Sequence, residues 1–359
     1  MYKSIHIQNF RCFEDTKIEG FEQINLIGGQ NNAGKTALLE ALYFASNPIG
    51  ESILNNEFYN RKKIQTAVDG NDIWKELFFG FDSSKKINIK INNLISEENV
   101  EIYTKTETVT KVLVEDIKRN IGKNDLFVST TNDLIIDYTN AKKEKSQCQL
   151  LLQLEEDKPT FNIDDNDFGN KNGKNLHKPC FLSANINFDE RQLAKDFDFQ
   201  KLNGNYDKVI SFCKVIDKEI TEIDTFENEI FVKKNNSKFI PLRLWGDALN
   251  KTIGYFLQIL DGNYKIILID EIENGIHHTN QAKFWKMLFD LAKEFDIQIF
   301  ATSHSAEMIK AFQEVAKEHD IKGGYFDLTR HAKTGKILGI KTQLDTLGLK
   351  IEHQMNYRG

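Results

Sequence analysis

Two runs of residues in this chain have the types and spacing to do chemistry. The first is Gly29-Gln30-Asn31-Asn32-Ala33-Gly34-Lys35-Thr36, a glycine, four residues, then Gly-Lys-Thr; the second, far along the chain, is the adjacent acid pair Asp270-Glu271. Glycines let backbone N–H groups of residues 29–34 turn inward on phosphate oxygens, a lysine neutralises them, and a threonine hydroxyl ligates Mg²⁺. Beside such a cradle, Asp270 would hold the Mg²⁺, directly or through water, and Glu271 would orient or deprotonate a water attacking the γ-phosphate. Each run alone has a plainer reading, a turn joining strand to helix and a solvated strand end. Two matches at independent positions reinforce each other.

Both runs need elements to aim them. The apolar stretch Ile24 to Ile27 reads as a strand ahead of the first run, and Leu38 to Ala45 as the helix whose N-terminus faces the phosphates. Lys265 to Asp270 is an almost continuous apolar run ending in acid, Ile297 to Thr302 is another, and Thr279 to Glu294 reads as a helix between them. That is a βαβ unit with strands buried on both faces, and ligands gather at the carboxyl ends of such strands. Ala301-Thr302-Ser303-His304-Ser305 then places a histidine at a strand's carboxyl end, within reach of the γ-phosphate. By itself a histidine there is ordinary structure.

Elsewhere the pattern is less chemical. Tyr2 to Ile7 reads as a strand followed by a turn at Glu14 to Gly20. Alternating runs at Ile87 to Ile91, Val100 to Tyr103, Leu134 to Tyr138 and Leu150 to Leu154 predict an antiparallel accessory sheet, and the polar stretch Asp164 to Asn175 an exposed loop. Phe188 to Phe226 carries helical spacing, with Val209, Phe212, Cys213, Ile216, Ile220 and Ile223 in phase, and predicts two amphipathic helices.

A length of 359 residues with 40% hydrophobic content is enough for a substantial α/β core. The net charge of −6 supplies no global basic field, so nucleic-acid contact needs a local patch or a partner. Arg61 to Lys63, Lys142 to Lys145 and Lys233-Lys234 are candidate patches, although runs of this size are usually solvated faces. Cys12, Cys148, Cys180 and Cys213 lie far apart without zinc spacing, the first residues lack a signal peptide's pattern, and no apolar run approaches the ~20 residues of a membrane span. The expectation is a cytoplasmic protein that meets no membrane.

The order of phosphate loop, acidic strand and strand-end histidine resembles the ATP-binding cassette (ABC-type) ATPases. Ile7-Gln8-Asn9-Phe10-Arg11-Cys12-Phe13, the Gly29 to Thr36 loop and Asp270-Glu271-Ile272-Glu273-Asn274-Gly275-Ile276-His277-His278 look like the RecF, SMC and overcoming-lysogenization-defect (OLD) branch. Trp74 to Phe78 is similar to a segment of compact AAA-type anti-phage proteins, including the ATPase of the PARIS system. The resemblance spans nearly the whole chain.

The resemblance implies an α/β P-loop fold with a mixed central sheet, an antiparallel accessory sheet and a short helical lobe. Residues 1–359 would form one ATPase domain: a nucleotide lobe at 1–185, a helical lobe at 186–250, and a core at 251–359. It implies ATP and Mg²⁺ as cofactors, His304 as the γ-phosphate switch, and two nucleotide lobes paired head to tail as a homodimer or higher oligomer. Pro241-Leu242-Arg243-Leu244-Trp245-Gly246-Asp247-Ala248 takes the place of the signature helix that caps the partner's γ-phosphate, with Gly246 and Asp247 as its nucleotide contacts, but departs from Leu-Ser-Gly-Gly. Asn274 falls in the loop that crosses the dimer interface. The family's Mg²⁺-sensing glutamine is missing from Pro179 to Asn185, where Ser183 or Asn185 stands instead. OLD nucleases continue into a Toprim domain, whereas this chain stops at Tyr357-Arg358-Gly359, so the expected effector, a nuclease or toxin, is a separate protein. A RecF-like ATPase clamping DNA and a nucleotide-sensing scaffold without turnover remain alternatives.

Overall fold

The computed structural model describes residues 1–48, 74–94, 96–111, 127–155, 158–164, 179–183, 188–235 and 237–353. The chain opens with the hairpin β1 (Ser4–Phe10) and β2 (Phe13–Glu19), in which Ile5 faces Ile18. Asn9 and Arg11 take left-handed φ values of 56° and 53°, which turns the chain back sharply. The turn expected over Glu14 to Gly20 is therefore mostly strand. Phe13, Thr16 and Ile18 are buried while Glu14, Asp15, Lys17 and Glu19 face solvent, so the charged residues that suggest a turn are the wet face of β2.

Next comes β3 (Ile24–Gly29), the phosphate-loop segment, and helix α1 (Lys35–Ser46). Five strands follow, β4 (Ile87–Asn92), β5 (Glu97–Lys111), β6 (Phe127–Thr139), β7 (Lys145–Glu155) and β8 (Lys158–Asp164). They pair antiparallel in the order β2-β1-β4-β5-β6-β7-β8. This is the expected accessory sheet, enlarged by the N-terminal hairpin. Most of the predicted polar loop, 165–175, and the basic run 61–63 lie outside the described residues.

After β9 (Pro179–Leu182) comes the helical lobe, with α2 (Glu190–Leu202) and α3 (Tyr206–Ile216). Asp189 starts α2 by accepting a hydrogen bond from the Gln192 N–H at 2.8 Å. Three strands form a small antiparallel sheet, β10 (Ile220–Phe226), β11 (Glu229–Lys234) and β12 (Ile240–Pro241), before a 3₁₀ turn and helix α4 (Asp247–Leu260). Ile220 and Ile223, read from sequence as helical, belong to β10. A break in the β10–β11 register between Ile220 and Glu222 lets residues three apart both point inward, which imitates helical spacing. Lys233 is paired with Glu222 and Lys234 with Asp217, so these lysines are already neutralised locally.

The chain closes with β13 (Ile266–Ile269), α5 (Gln281–Phe295), β14 (Gln298–Thr302), α6 (Ala306–Glu318), β15 (Gly323–Arg330), β16 (Ile337–Thr342) and α7 (Leu344–Glu352). The central sheet runs β16-β15-β3-β14-β13-β9, parallel except for β16. Its buried strands divide their side chains between two cores. Leu26, Ile267, Ile269 and Ile299 join the helices of the helical lobe, α5 and α6; Ile27, Ile266, Leu268 and Phe300 join α1 and the antiparallel sheet. The consequence for chemistry is that β3, β14, β13 and β9 end at one edge.

Candidate nucleotide site

Four segments leave that common edge. The phosphate loop follows β3, Asp270-Glu271 follows β13, His304 follows β14, and Ser183 follows β9. Because β14 separates β3 from β13, the phosphate loop and the acid pair are brought together across an intervening strand rather than as neighbours.

Within the loop Gly29 and Gly34 have φ of 138° and 93° and Asn32 has φ 64°, backbone shapes that curl the chain around a small space. Asn31 and Asn32 are exposed, Ala33 is buried, and the Ala33 N–H donates to the Gln30 carbonyl at 3.2 Å. Lys35 folds back over the loop and donates to the Gly29 and Gln30 carbonyls at 2.8 and 3.0 Å. Burial lowers the Lys35 ammonium from its ordinary value, against the opposing charges of Glu273, Asp270, Glu271 and Asp327. A lysine partly stripped of water amid carboxylates is poised to exchange carbonyl oxygens for phosphate oxygens.

Gly28 faces Asp327 in register across β3 and β15, and a Cβ on Gly28 would stand 2.0 Å from the Tyr325 hydroxyl. The strand feeding the loop is therefore pressed against β15 without room for a side chain.

The acid pair is held by a line of hydroxyls. Thr36 Oγ1 donates to Asp270 at 2.9 Å, Thr302 Oγ1 donates to the same carboxylate at 2.6 Å, and the Glu271 N–H donates to Thr302 Oγ1 at 2.8 Å. Asp270 is buried, and its N–H is tied to the Leu182 carbonyl of β9. Glu271 has φ 52°, a left-handed conformation uncommon for a non-glycine residue and a frequent mark of functional positions. Asn274 Nδ2 donates to Glu271 Oε2 at 2.9 Å, so within one chain Asn274 braces Glu271. His304 is half-exposed just beyond β14 and lies 2.8 Å, through Nδ1, from Glu273.

Gly246 and Asp247 lie at the start of α4, in the helical lobe. Gly246 has φ 90° and ψ 163°, a shape close to glycine-only, and caps the first turn of α4 in the helical lobe. Among the described residues no hydrogen bond joins Gly246 to residues 29–36. Of the two residues standing in for a glutamine, Ser183 is buried directly after β9, and Asn185 lies outside the described residues.

Three residues that enter the site were not singled out from sequence. Thr302 and Glu273 lie inside runs quoted for other residues, where a hydroxyl ending an apolar strand and an extra acid after the pair were the available signals. Asp327, half-buried with an unpartnered Oδ1, has no local signature; burial pushes its carboxyl up, with Lys350 and Lys35 opposing.

The oxygen set at the centre fits Mg²⁺. Thr36 Oγ1 lies within 3.2 Å of both Asp270 oxygens, hard donors of the kind this ion takes alongside phosphate and water.

A phosphate loop on a parallel sheet, an acidic strand end and a histidine at the adjoining strand end define a P-loop protein of the ABC-type ATPase class. Residues 24–310 match the family model for "AAA domain, putative AbiEii toxin, Type IV TA system", and the chain belongs to that family. An ATP/GTP phosphatase of Helicobacter pylori is 26% identical over 365 residues, covering 89% of this chain and 90% of that one. The DNA replication and repair protein RecF of Clostridium botulinum is 25% identical over 304 residues, covering 84% and 69% respectively. The Smc head domain of Pyrococcus furiosus, solved with the C-terminal domain of ScpA, aligns over 98% of both chains at 9% identity with a TM-score of 0.49. Among the described residues no helix is long and apolar enough to cross a membrane.

Proposed function

We propose that the chain binds and hydrolyses ATP with Mg²⁺, and that in the cytoplasm ATP-dependent head-to-tail pairing controls a separate effector protein in an anti-phage system. The observation that carries the hydrolytic part is the hydrogen-bonded line from Thr36 through Asp270 and Thr302 to Glu271. It joins a phosphate loop to a carboxylate that is braced yet half-open. The phosphatase name of the Helicobacter pylori relative points the same way.

On this reading the N–H groups of residues 29–36 and Lys35 hold the β- and γ-phosphates. Thr36 and Asp270 would hold Mg²⁺, which supplies charge neutralisation at the phosphate oxygens. Asn274 occupies Glu271 Oε2, leaving Oε1 to take the proton from a water whose oxygen attacks the γ-phosphorus as the bond to the β-phosphate oxygen breaks. His304 meets the γ-phosphate. Gly246 and Asp247, at the N-terminus of α4, would cap the γ-phosphate of a second copy.

The test is ATP turnover by the purified protein beside Lys35→Ala and Glu271→Gln, with mass measured with and without ATP and Mg²⁺. Turnover lost in both variants, with ATP-stabilised pairs in Glu271→Gln, is the expected result. Tight ATP binding without turnover in the unaltered protein would instead make it a nucleotide-sensing scaffold, and turnover that rises on adding DNA would favour a RecF-like clamp.

A further inference from the structure

His304 does not rotate freely at the end of β14. Its Nδ1 lies 2.8 Å from Glu273 Oε1, and its own backbone N–H donates to the same oxygen at 2.9 Å. Glu273 is nearly buried, with a side chain 10% exposed, and its second oxygen, Oε2, has no hydrogen-bond partner. The turn that carries Glu273 is itself pinned. The Ile272 N–H donates to the Thr302 carbonyl, Asn274 N–H to the Glu271 carbonyl, and Ile276 N–H to the Glu273 carbonyl, all at 2.9 to 3.0 Å.

An ionised carboxylate only accepts hydrogen bonds, so the ring nitrogen facing it must carry a proton. Nε2 is then the nitrogen left for a ligand, on a side chain still 51% exposed. Burying a carboxylate with one oxygen orphaned is costly unless the contact it makes is needed. Two hydrogen bonds to a single residue, one to the ring and one to the main chain, fix both where His304 sits and how its ring is turned. The same carboxylate is the foremost charge acting on Lys35, so it bears on the lysine of the site as well as on His304.

We propose that Glu273 is the positioning residue for His304: it holds the imidazole with Nδ1 protonated and presents Nε2 to the γ-phosphate. This rests on the reading of His304 as the γ-phosphate contact and assigns the group that orients it. To donate from Nε2 to a phosphate oxygen the ring must carry both protons, and Glu273 supplies the balancing negative charge behind it. The histidine then acts as a prepared donor, without first having to find its orientation.

Nitrogen-15 NMR of the His304 ring, assigned with His304→Gln and read with the imidazole neutral, tests the placement without relying on turnover. The unaltered protein and Glu273→Gln, whose amide oxygen can still accept, should show Nδ1 protonated. Glu273→Ala should revert toward the Nε2-protonated form that free imidazole prefers. In turnover, Glu273→Ala should lower kcat by about 10- to 100-fold while the ATP KM moves less than about threefold. Glu273→Gln, which keeps the acceptor but not the charge, should recover only part of the loss, and Glu273→Ala combined with His304→Ala should be no slower than His304→Ala alone. An Nε2-protonated ring in the unaltered protein, or losses that multiply in the double variant, would overturn the proposal. A Nδ1-protonated ring in a protein that turns over no ATP would sink the hydrolase reading and leave the placement of His304 standing.

Discussion

Thr36 Oγ1 and Asp270 Oδ2 stand 2.9 Å apart although 234 positions separate them in the chain. The hydroxyl at the start of α1 and the carboxylate at the end of β13 thus form one oxygen cluster. Asp270→Asn keeps the shape and removes the charge. It should weaken ATP binding about 10- to 100-fold when Mg²⁺ is present and change Mg²⁺-free binding little, as titration calorimetry under both conditions would show. An equal loss without Mg²⁺ would mean that Asp270 supports the loop rather than the ion.

Glu271 carries its carboxylate on a left-handed backbone, φ 52°. Glycine adopts that shape freely, whereas a Cβ costs on the order of 1 kcal/mol there. Glu271→Gly should therefore unfold at a higher denaturant concentration than Glu271→Ala, with both equally inactive. If the alanine variant is the more stable, the strain is not real.

Gly28 leaves no space for a methyl group, since its Cβ would lie 2.0 Å from the Tyr325 hydroxyl and 2.7 Å from the ring carbon bearing it. Gly28→Ala should destabilise the protein by about 1–3 kcal/mol through overpacking. Combining it with Tyr325→Leu should return part of that loss in thermal melts. Additive losses would show that the two sites do not press on each other.

Asp327 is more easily protonated in the fold than in the unfolded chain, because burial outweighs the help of Lys350 and Lys35. The folded state then binds the proton more readily, so this group's contribution is greatest in acid. It declines as pH rises through the raised folded value. Asp327→Asn should be more stable than the parent at neutral pH, by under about 1 kcal/mol because the side chain is partly exposed to screening water, and the gain should vanish in mild acid. Urea titrations at the two pH values measure it; a gain that grows in acid would contradict the sign.

How much of this was legible in the sequence differs by element. The strands β13 and β14 and the helix between them stood out because strands buried on both faces are apolar without interruption. Residues 29–36 were legible because phosphate binding by backbone N–H groups demands particular residues in consecutive positions. The strand β2 was obscured because its charged outer face has the composition of a turn, and β10 because a break in register put Ile220 and Ile223 three apart on one face.

What the amino-acid order determined by itself is the local chemistry: a glycine-shaped loop with its lysine and threonine, two adjacent acids ending an apolar strand, and a histidine ending another. Strand order was decided only in the folded molecule. Placing β14 between β3 and β13 is what lets Thr302 bridge Asp270 and Glu271 and sets Glu273 against His304, while placing β15 on the other side of β3 brings Asp327 alongside Gly28. These contacts join residues from 31 to 299 positions apart, and they arise from burying both faces of one sheet at once, a requirement no short stretch of sequence records.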